Sequence, residues 1–395
     1  MKKKYRYDIC IIGGLGHVGL PLGIVFANKN QQVVLHDVDK KNANIVFKEK
    51  KLPYVEHGAS KLLKIALNKK KIHFSSDINI ITQSKNIIIA IGTPVDKYLN
   101  PEIKKFLDYI KKIKKLISNE QNVIIRSSVF PNTCLNVNKI LGKNKNLAYC
   151  PERIVQGYSV KELSHLPQLI SGFNEKAINN AKHLFKKLTP KIIICTVMEA
   201  EFAKLFTNSM RYIEFGLANQ YYMICNNNNV NYDRVRAIMT EGYDRVTNLP
   251  SAGFAAGPCL FKDTMQLNAF NNNNFLIGNA AMMINEGLPN YLVQQIKNSH
   301  SIRNKNIGIL GMAFKANIDD TRDSLSFKLR KLLISNGCNV FCTDEYAKDS
   351  SFYSLDYTLN RCSIIIIGVP HKKYSKIKFP KNKILYDLWN CIKRI

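Results

Sequence analysis

Three glycines after a short apolar run constrain this chain more than any other feature. Gly14-Leu15-Gly16-His17-Val18-Gly19 has the G-x-G-x-x-G spacing, placed after an expected first strand and at the start of an expected helix. The spacing permits a tight strand-to-helix turn, close approach of backbone to a diphosphate, and close packing of the helix. The helix N-terminus then turns its free N–H groups and positive dipole end toward the phosphates. Alone the pattern is weak, because a glycine-rich turn without a ligand reads the same way. Asp37 supplies the second requirement. It ends the second expected strand about 20 residues on, where a carboxylate accepts the hydroxyls of an adenine ribose. A carboxylate there repels a 2′-phosphate, so the expected cofactor is NAD rather than NADP, held by Gly14, Gly16, Val18, Gly19 and Asp37.

Up to about residue 190, short β-branched runs at 9–12, 33–36, 86–91 and 122–126 alternate with lysine-rich amphipathic stretches such as 103–117. That rhythm predicts a doubly wound parallel sheet, with ligands at the carboxyl ends of its strands. Two hydroxyl-bearing turns stand there, Gly92-Thr93-Pro94 and Arg126-Ser127-Ser128-Val129-Phe130-Pro131; each reads equally as ligand contact or as ordinary turn chemistry. Residues 199–226 predict one long helix, broken only by Gly216, and 275–298 a second that ends or kinks near Pro289. From about 305 the alternation returns, with strands at 306–310, 340–343, 364–368 and 384–388 and a helix at 326–336. The expected fold is α/β: two Rossmann-like doubly wound domains joined by long helices of the kind that often form an oligomer interface.

Composition removes several classes of function. At 395 residues the chain exceeds one ordinary core. It contains no run of about 18 apolar residues, so no membrane span is expected. Its basic start leads only into the apolar stretch 9–12, a first strand rather than a secretion signal. The ten cysteines are scattered, without a C-x-x-C pair or zinc spacing, which fits reduced thiols in a cytoplasm and no metal site. A formal charge of +29 invites a nucleic-acid reading. However, the lysines run along the whole chain beside many asparagines and isoleucines, a bias of genome composition rather than a binding face. The charge favours anionic ligands such as nucleotides; nucleic acid is not an expected partner.

Cys259 lies in Gly253-Phe254-Ala255-Ala256-Gly257-Pro258-Cys259-Leu260-Phe261-Lys262-Asp263, among small residues and followed by a cation and a carboxylate. The thiolate is the reactive form, and a neighbouring positive charge lowers a thiol pKa from about 8.5. A lone cysteine is more often inert core. Paired with a nucleotide turn, it points to an oxidation through a covalent thiohemiacetal. Lys204 and Asn208, four apart, share one helix face and could hold one oxygen as an oxyanion, or be a solvated pair.

Together these motifs resemble the UDP-glucose/GDP-mannose dehydrogenase family over nearly the whole chain. The matching segments are the glycine turn running into Val18-Gly19-Leu20-Pro21, Pro151-Glu152-Arg153, the Lys204/Asn208 helix and the Cys259-to-Asp263 box. Gly311-Met312-Ala313-Phe314-Lys315 and Asp320-Thr321-Arg322-Asp323-Ser324 complete the set. The resemblance implies an NAD domain at 1–192, a helical dimerisation domain at 193–300 and a nucleotide-sugar domain at 301–395, in a homodimer or higher homo-oligomer. It implies NAD-dependent oxidation of a CH–OH donor, the sugar C6 CH2OH of a UDP-sugar, by four electrons to a carboxylate for surface polysaccharide synthesis. Cys259 would be the nucleophile and Lys204 the oxyanion stabiliser. Asn208 and Asp263 would position an oxygen and a water, and Glu152 would be the base for thioester hydrolysis. Ser128, where the family usually has threonine, would serve catalysis and cofactor together. Thr93 and Arg322 would also meet the cofactor. The substrate would contact Glu152, Arg153, Lys204, Asn208, Phe254, Gly257, Lys315 and, from the partner subunit, Arg245.

Signals for the sugar conflict. The stretch Pro151 to Gly157 is similar to that of UDP-N-acetylhexosamine enzymes, whereas Lys262 and Asp263 are typical of UDP-glucose enzymes. Asp387-Leu388-Trp389-Asn390 lacks an arginine that many UDP-glucose enzymes carry, and the balance leans slightly to an N-acetylhexosamine or related UDP-sugar. The rival readings are a two-electron β-hydroxyacid dehydrogenase, which needs neither Cys259 nor a third domain, and a non-catalytic nucleotide-binding protein.

Overall fold

The computed structural model describes residues 4–392 except 97, 247, 378, 380 and 381. The chain divides into two compact units, Met1–Phe206 and Thr207–Ile395, with the boundary inside the helix Val197–Asn227.

The first unit is built on eight strands: β1 Tyr7–Ile12, β2 Val33–His36, β3 Ile72–Ser75, β4 Ser84–Ile89, β5 Asn122–Ile125, β6 Asn146–Tyr149, β7 Gln168–Gly172 and β8 Ile192–Ile194. Their order is β3-β2-β1-β4-β5-β6-β7-β8, and all neighbours are parallel except β6 and β7. Alternation along β1 shows why both sheet faces are filled. Ile9 and Ile11 pack with Leu20, Ile24 and Phe26, while Cys10 and Ile12 pack with Phe106 and Ile110 on the other side. In the register, Ile12 pairs with both His36 and Ile89, and Ile89 with Ile125. The carboxyl ends of β2, β1, β4 and β5 are therefore level. The strand order reverses between β1 and β4, which makes the turns after them the place where such a sheet binds ligands.

The four strands expected here are present, with ends shifted by up to two residues. The amphipathic helix stops at Ile113 and tightens into a 3-10 turn, Lys114–Leu116. Strands β3, β6, β7 and β8 carry weaker patterns; β8 is only three residues long and half exposed at the sheet edge.

In the second unit the helix Leu276–Ser299 continues through Pro289. Its strands are β9 Asn306–Leu310, β10 Asn339–Thr343, β11 Ile364–Ile367 and β12 Ile384–Tyr386, all parallel in the order β10-β9-β11-β12. Here β9 lies between β10 and β11 as β1 lies between β2 and β4. No helix among the described residues is long and apolar enough to cross a membrane.

Candidate active site

The glycine turn after β1 is shaped partly by the protein's own packing. Gly13 has φ +75°, and a Cβ there would lie 2.7 Å from the Ala90 carbonyl oxygen. At Gly16 a Cβ would meet only the Gly13 oxygen, at an ordinary 3.5 Å. Internal packing thus does not demand a glycine at that position, whereas close approach of a diphosphate to the backbone does. Asp37, directly after β2, turns back to the same turn: its Oδ2 accepts the Leu15 N–H at 3.0 Å and its Oδ1 the Asp39 N–H at 3.1 Å. Tyr54 donates to the Gly16 carbonyl at 2.8 Å. These residues fit an adenine dinucleotide: a bare turn ahead of a helix N-terminus, with a fixed carboxylate beside it.

The structure brings Thr93 and Ser128 together, since the Thr93 hydroxyl donates to the Ser128 carbonyl. Ser127 donates to the Ile91 carbonyl at 2.7 Å, so the turns after β4 and β5 are tied to one another.

Glu152 follows β6 and is buried against Arg126, which sequence reasoning had passed over as part of a turn. The Arg126 guanidinium is ion-paired to Glu152 Oε2, donates to Gln168 at 2.6 Å and to the Cys150 carbonyl at 2.9 Å, and lies over the Phe185 ring. Glu152 Oε1 accepts the N–H groups of Arg153 and Ile154 at 2.8 and 3.1 Å. Both carboxylate oxygens are thus engaged, and Glu152 orders the Pro151–Arg153 loop. The Arg153 guanidinium itself is turned to the Pro167 carbonyl, 2.5 Å away.

Lys204 and Asn208 are 8% and 6% exposed, which overturns the solvated-face alternative. Glu201, one turn earlier, is buried and accepts the N–H groups of Asn132 and Cys134 at 2.8 and 2.9 Å, capping the helix Thr133–Leu141. Burial pushes its carboxyl above the ordinary range, against those hydrogen bonds.

In the second unit Asn208 donates to Asp263 Oδ2 at 2.6 Å, and Lys262 lies 2.9 Å from Oδ1. Cys259 occupies the N-cap position of the helix Leu260–Phe270, where negative charge is favoured. It is the one exposed cysteine of the ten. Burial pushes Cys10, Cys150 and Cys362 up to about 12 and Cys342 to about 11, so those thiols stay protonated and inert. The loop before Cys259 is anchored at several points. Buried Asn219 holds Gly253 through both backbone groups, at 2.8 and 3.0 Å, and also bonds Asn285 at 2.9 Å. Phe254 is buried with Ile307, Ile309 and Met312. Gly257 donates to the Asp323 carbonyl at 3.3 Å and has φ +99°, with a Cβ there only 2.5 Å from the Phe314 ring. Arg322 is held above its ordinary range first by hydrogen bonds to Asp320, with the charges of Asp320 and Asp323 adding. Arg245 packs locally over the Tyr243 ring, 5.6 Å away.

Comparison with known proteins decides the lineage. Residues 7–189 match the NAD binding domain of the UDP-glucose/GDP-mannose dehydrogenase family, 198–286 its central domain, and 308–394 its UDP binding domain. The chain belongs to that family. It is 31% identical to the UDP-N-acetyl-D-mannosamine dehydrogenase of Methanocaldococcus jannaschii, covering 98% of this chain and 93% of the relative. The enzyme of the same name from Methanococcus maripaludis is 29% identical, covering 99% and 95%. A solved UDP-D-ManNAc dehydrogenase from Pyrococcus horikoshii superposes with a TM-score of 0.89 at 25% identity, covering 98% and 96%. As a member of the UDP-glucose/GDP-mannose dehydrogenase family, this protein is an NAD-dependent oxidoreductase acting on nucleotide sugars.

In this dehydrogenase the UDP binding domain repeats the strand–turn–strand arrangement of the NAD binding domain. Gly311 follows β9 with φ +96°, and Asp344 follows β10. Asp344 Oδ2 accepts the N–H groups of Met312 and Ala313 at 2.6 and 2.9 Å, as Asp37 accepts that of Leu15. Its Oδ1 accepts those of Tyr346 and Ala347, both at 2.8 Å. Burial opposes the Asp344 charge, but the His371 hydrogen bond and those backbone groups outweigh it and hold the carboxyl at about 2. Sequence reasoning missed Asp344 and His371. The signal for Asp344 was present, in a carboxylate ending the second strand of the second α/β unit. Lys315 lies on the loop that Asp344 anchors.

Proposed function

We propose that this dehydrogenase oxidises the C6 CH2OH of a UDP-sugar by four electrons, through a covalent adduct on Cys259, to a UDP-uronic acid. The observation that carries the reading is the exposed Cys259 thiol at a helix N-terminus, while burial holds other thiols protonated. NAD, when bound, supplies the hydride acceptor for each oxidation. Cys259 adds to the aldehyde carbon as a thiohemiacetal, and oxidation of that adduct leaves a thioester for water to hydrolyse. Asp263, ordered by Asn208, is assigned to positioning the oxygen and the water, Lys204 to stabilising oxyanions, and Lys315 to the diphosphate. Glu152 is assigned to thioester hydrolysis as the base, and to ordering the substrate loop. Gly14, Gly16, Val18, Gly19, Asp37, Thr93 and Ser128 are assigned to the cofactor.

The names of the archaeal relatives support a UDP-N-acetylhexosamine, with N-acetylmannosamine the first candidate. The division at 1–192, 193–300 and 301–395, a homodimer, a cytoplasmic location and supply of a surface polysaccharide belong to the same reading. Exposed Met210, Leu217 and Ile224, each seven residues from the next on the long helix, support the dimer. Turnover of a panel of UDP- and GDP-sugars tests the proposal. Two NADH per UDP-N-acetylmannosamine consumed, with a carboxylate product, is the expected result. One NADH and a released aldehyde or ketone would replace it with the two-electron reading.

A further inference from the structure

A buried imidazole joins the two ends of the turn after β9. His371 follows β11 and is fully buried; one ring nitrogen meets the Asn317 end of the loop from Met312 to Asn317, and the other meets Asp344, which holds the Met312 end. The Asn317 backbone N–H lies 2.9 Å from Nδ1. An amide N–H only donates, so Nδ1 is the bare nitrogen and Nε2 carries the proton. Nε2–H then donates to Asp344 Oδ2 at 3.0 Å, the oxygen that also accepts Met312 and Ala313. One ring thus ties the last residue of the loop to its first two. Between them lie Phe314, which underlies Gly257, and Lys315. Asn317 has φ +60°, and its Oδ1 accepts the Lys372 N–H at 2.9 Å, so its end of the loop is set from several sides.

We infer that His371 is a positioning residue for nucleotide-sugar binding, fixing the span and direction of the Met312-to-Asn317 loop so that Lys315 meets the diphosphate in one geometry. The inference rests on the reading that Lys315 holds the diphosphate. The two contacts of the ring are unequal. Asp344 retains four backbone donors without His371, whereas the bond to Nδ1 is what joins the Asn317 backbone to the ring. An acceptor at the δ position is therefore the part that matters.

Two substitutions separate the contacts in the full-length protein. His371→Asn places a carbonyl oxygen near the Nδ1 position and removes the donor to Asp344. His371→Gln places its amide near the Nε2 position and removes the δ acceptor. With UDP as the calorimetric ligand, His371→Asn is expected to bind within about threefold of the parent, and His371→Gln about tenfold more weakly. KM for the nucleotide sugar should follow the same order, with kcat and NAD affinity little changed. Parent-like UDP binding by His371→Gln, the reverse order, or loss of cooperative unfolding would overturn the inference. Lys315→Ala tests the underlying reading separately. If it leaves UDP affinity unchanged, the diphosphate assignment fails; if it weakens binding while His371→Gln does not, only the role of His371 fails. In the double variant, a loss no larger than that of Lys315→Ala alone is expected, and additive losses would show that His371 does not act through Lys315.

Discussion

Asn208 and Asp263 share a 2.6 Å hydrogen bond, amide to carboxylate, with both side chains almost wholly withdrawn from solvent. The bond fixes which way the carboxylate faces, and Lys262 at 2.9 Å holds its other oxygen. A charge fixed this way needs no reorganisation when a reacting group develops charge near it, which is how buried polar groups contribute most to a rate.

Asp263→Asn keeps the size of the group and removes its charge. Steady-state kinetics should show kcat lower by about a hundredfold, with a smaller change in KM. A kcat within a fewfold of the parent would reduce Asp263 to a structural partner of Asn208.

Cys259→Ser separates a nucleophile from a packing residue, because serine is nearly isosteric. Loss of several orders of magnitude in kcat is expected, on the order of 10³ or more, with NAD and UDP still bound. Intact mass should reveal an adduct retained on the serine. Near-normal yield of two NADH per sugar would refute the covalent route.

Asp37 is expected to govern cofactor choice. The wild type should prefer NAD strongly, and Asp37→Ser should narrow the gap to NADP by removing the charge that repels a 2′-phosphate. The same change removes the acceptor for the Leu15 N–H, so NAD affinity should fall about tenfold. Equal use of both cofactors by the wild type would end the ribose assignment.

Asp344 carries an acid-dependent part of the stability. Its folded-state pKa, about 2, lies below the unfolded value of about 3.9, so its stabilisation is present above about pH 4 and is lost as pH falls toward 2. Asp344→Asn should cost on the order of 2 kcal/mol at pH 7 by urea unfolding. The gap to the parent should hold down to about pH 4 and narrow below it. A gap independent of pH would mean that shape rather than charge is what the turn requires.

Much of this was legible because the signals are local. The G-x-G-x-x-G turn and Asp37 lie within one strand–helix–strand passage, and the Cys259 box reads as a continuous string. The rest depends on pairs far apart in the chain. Arg126 and Glu152 look like turn residues until β5 and β6 lie side by side, and His371 has no meaning without Asp344. Burial decided the remaining case. A lysine and an asparagine four apart read as a solvated pair, and only their shielding removes that alternative. Strand β8 escaped detection because an edge strand of three residues has too little pattern to see.

The clamp of Asn219 on Gly253 has a consequence for length. The chain is gripped at Gly253, tied again at Gly257, and enters a helix directly after Cys259. Each residue of extended chain advances by at most about 3.6 Å. One residue inserted or deleted between the clamp and the helix would therefore shift the sulfur by more than the length of a hydrogen bond, with the sequence around it unaltered. On the covalent route proposed for Cys259, the spacing from Gly253 counts as much as the thiol itself.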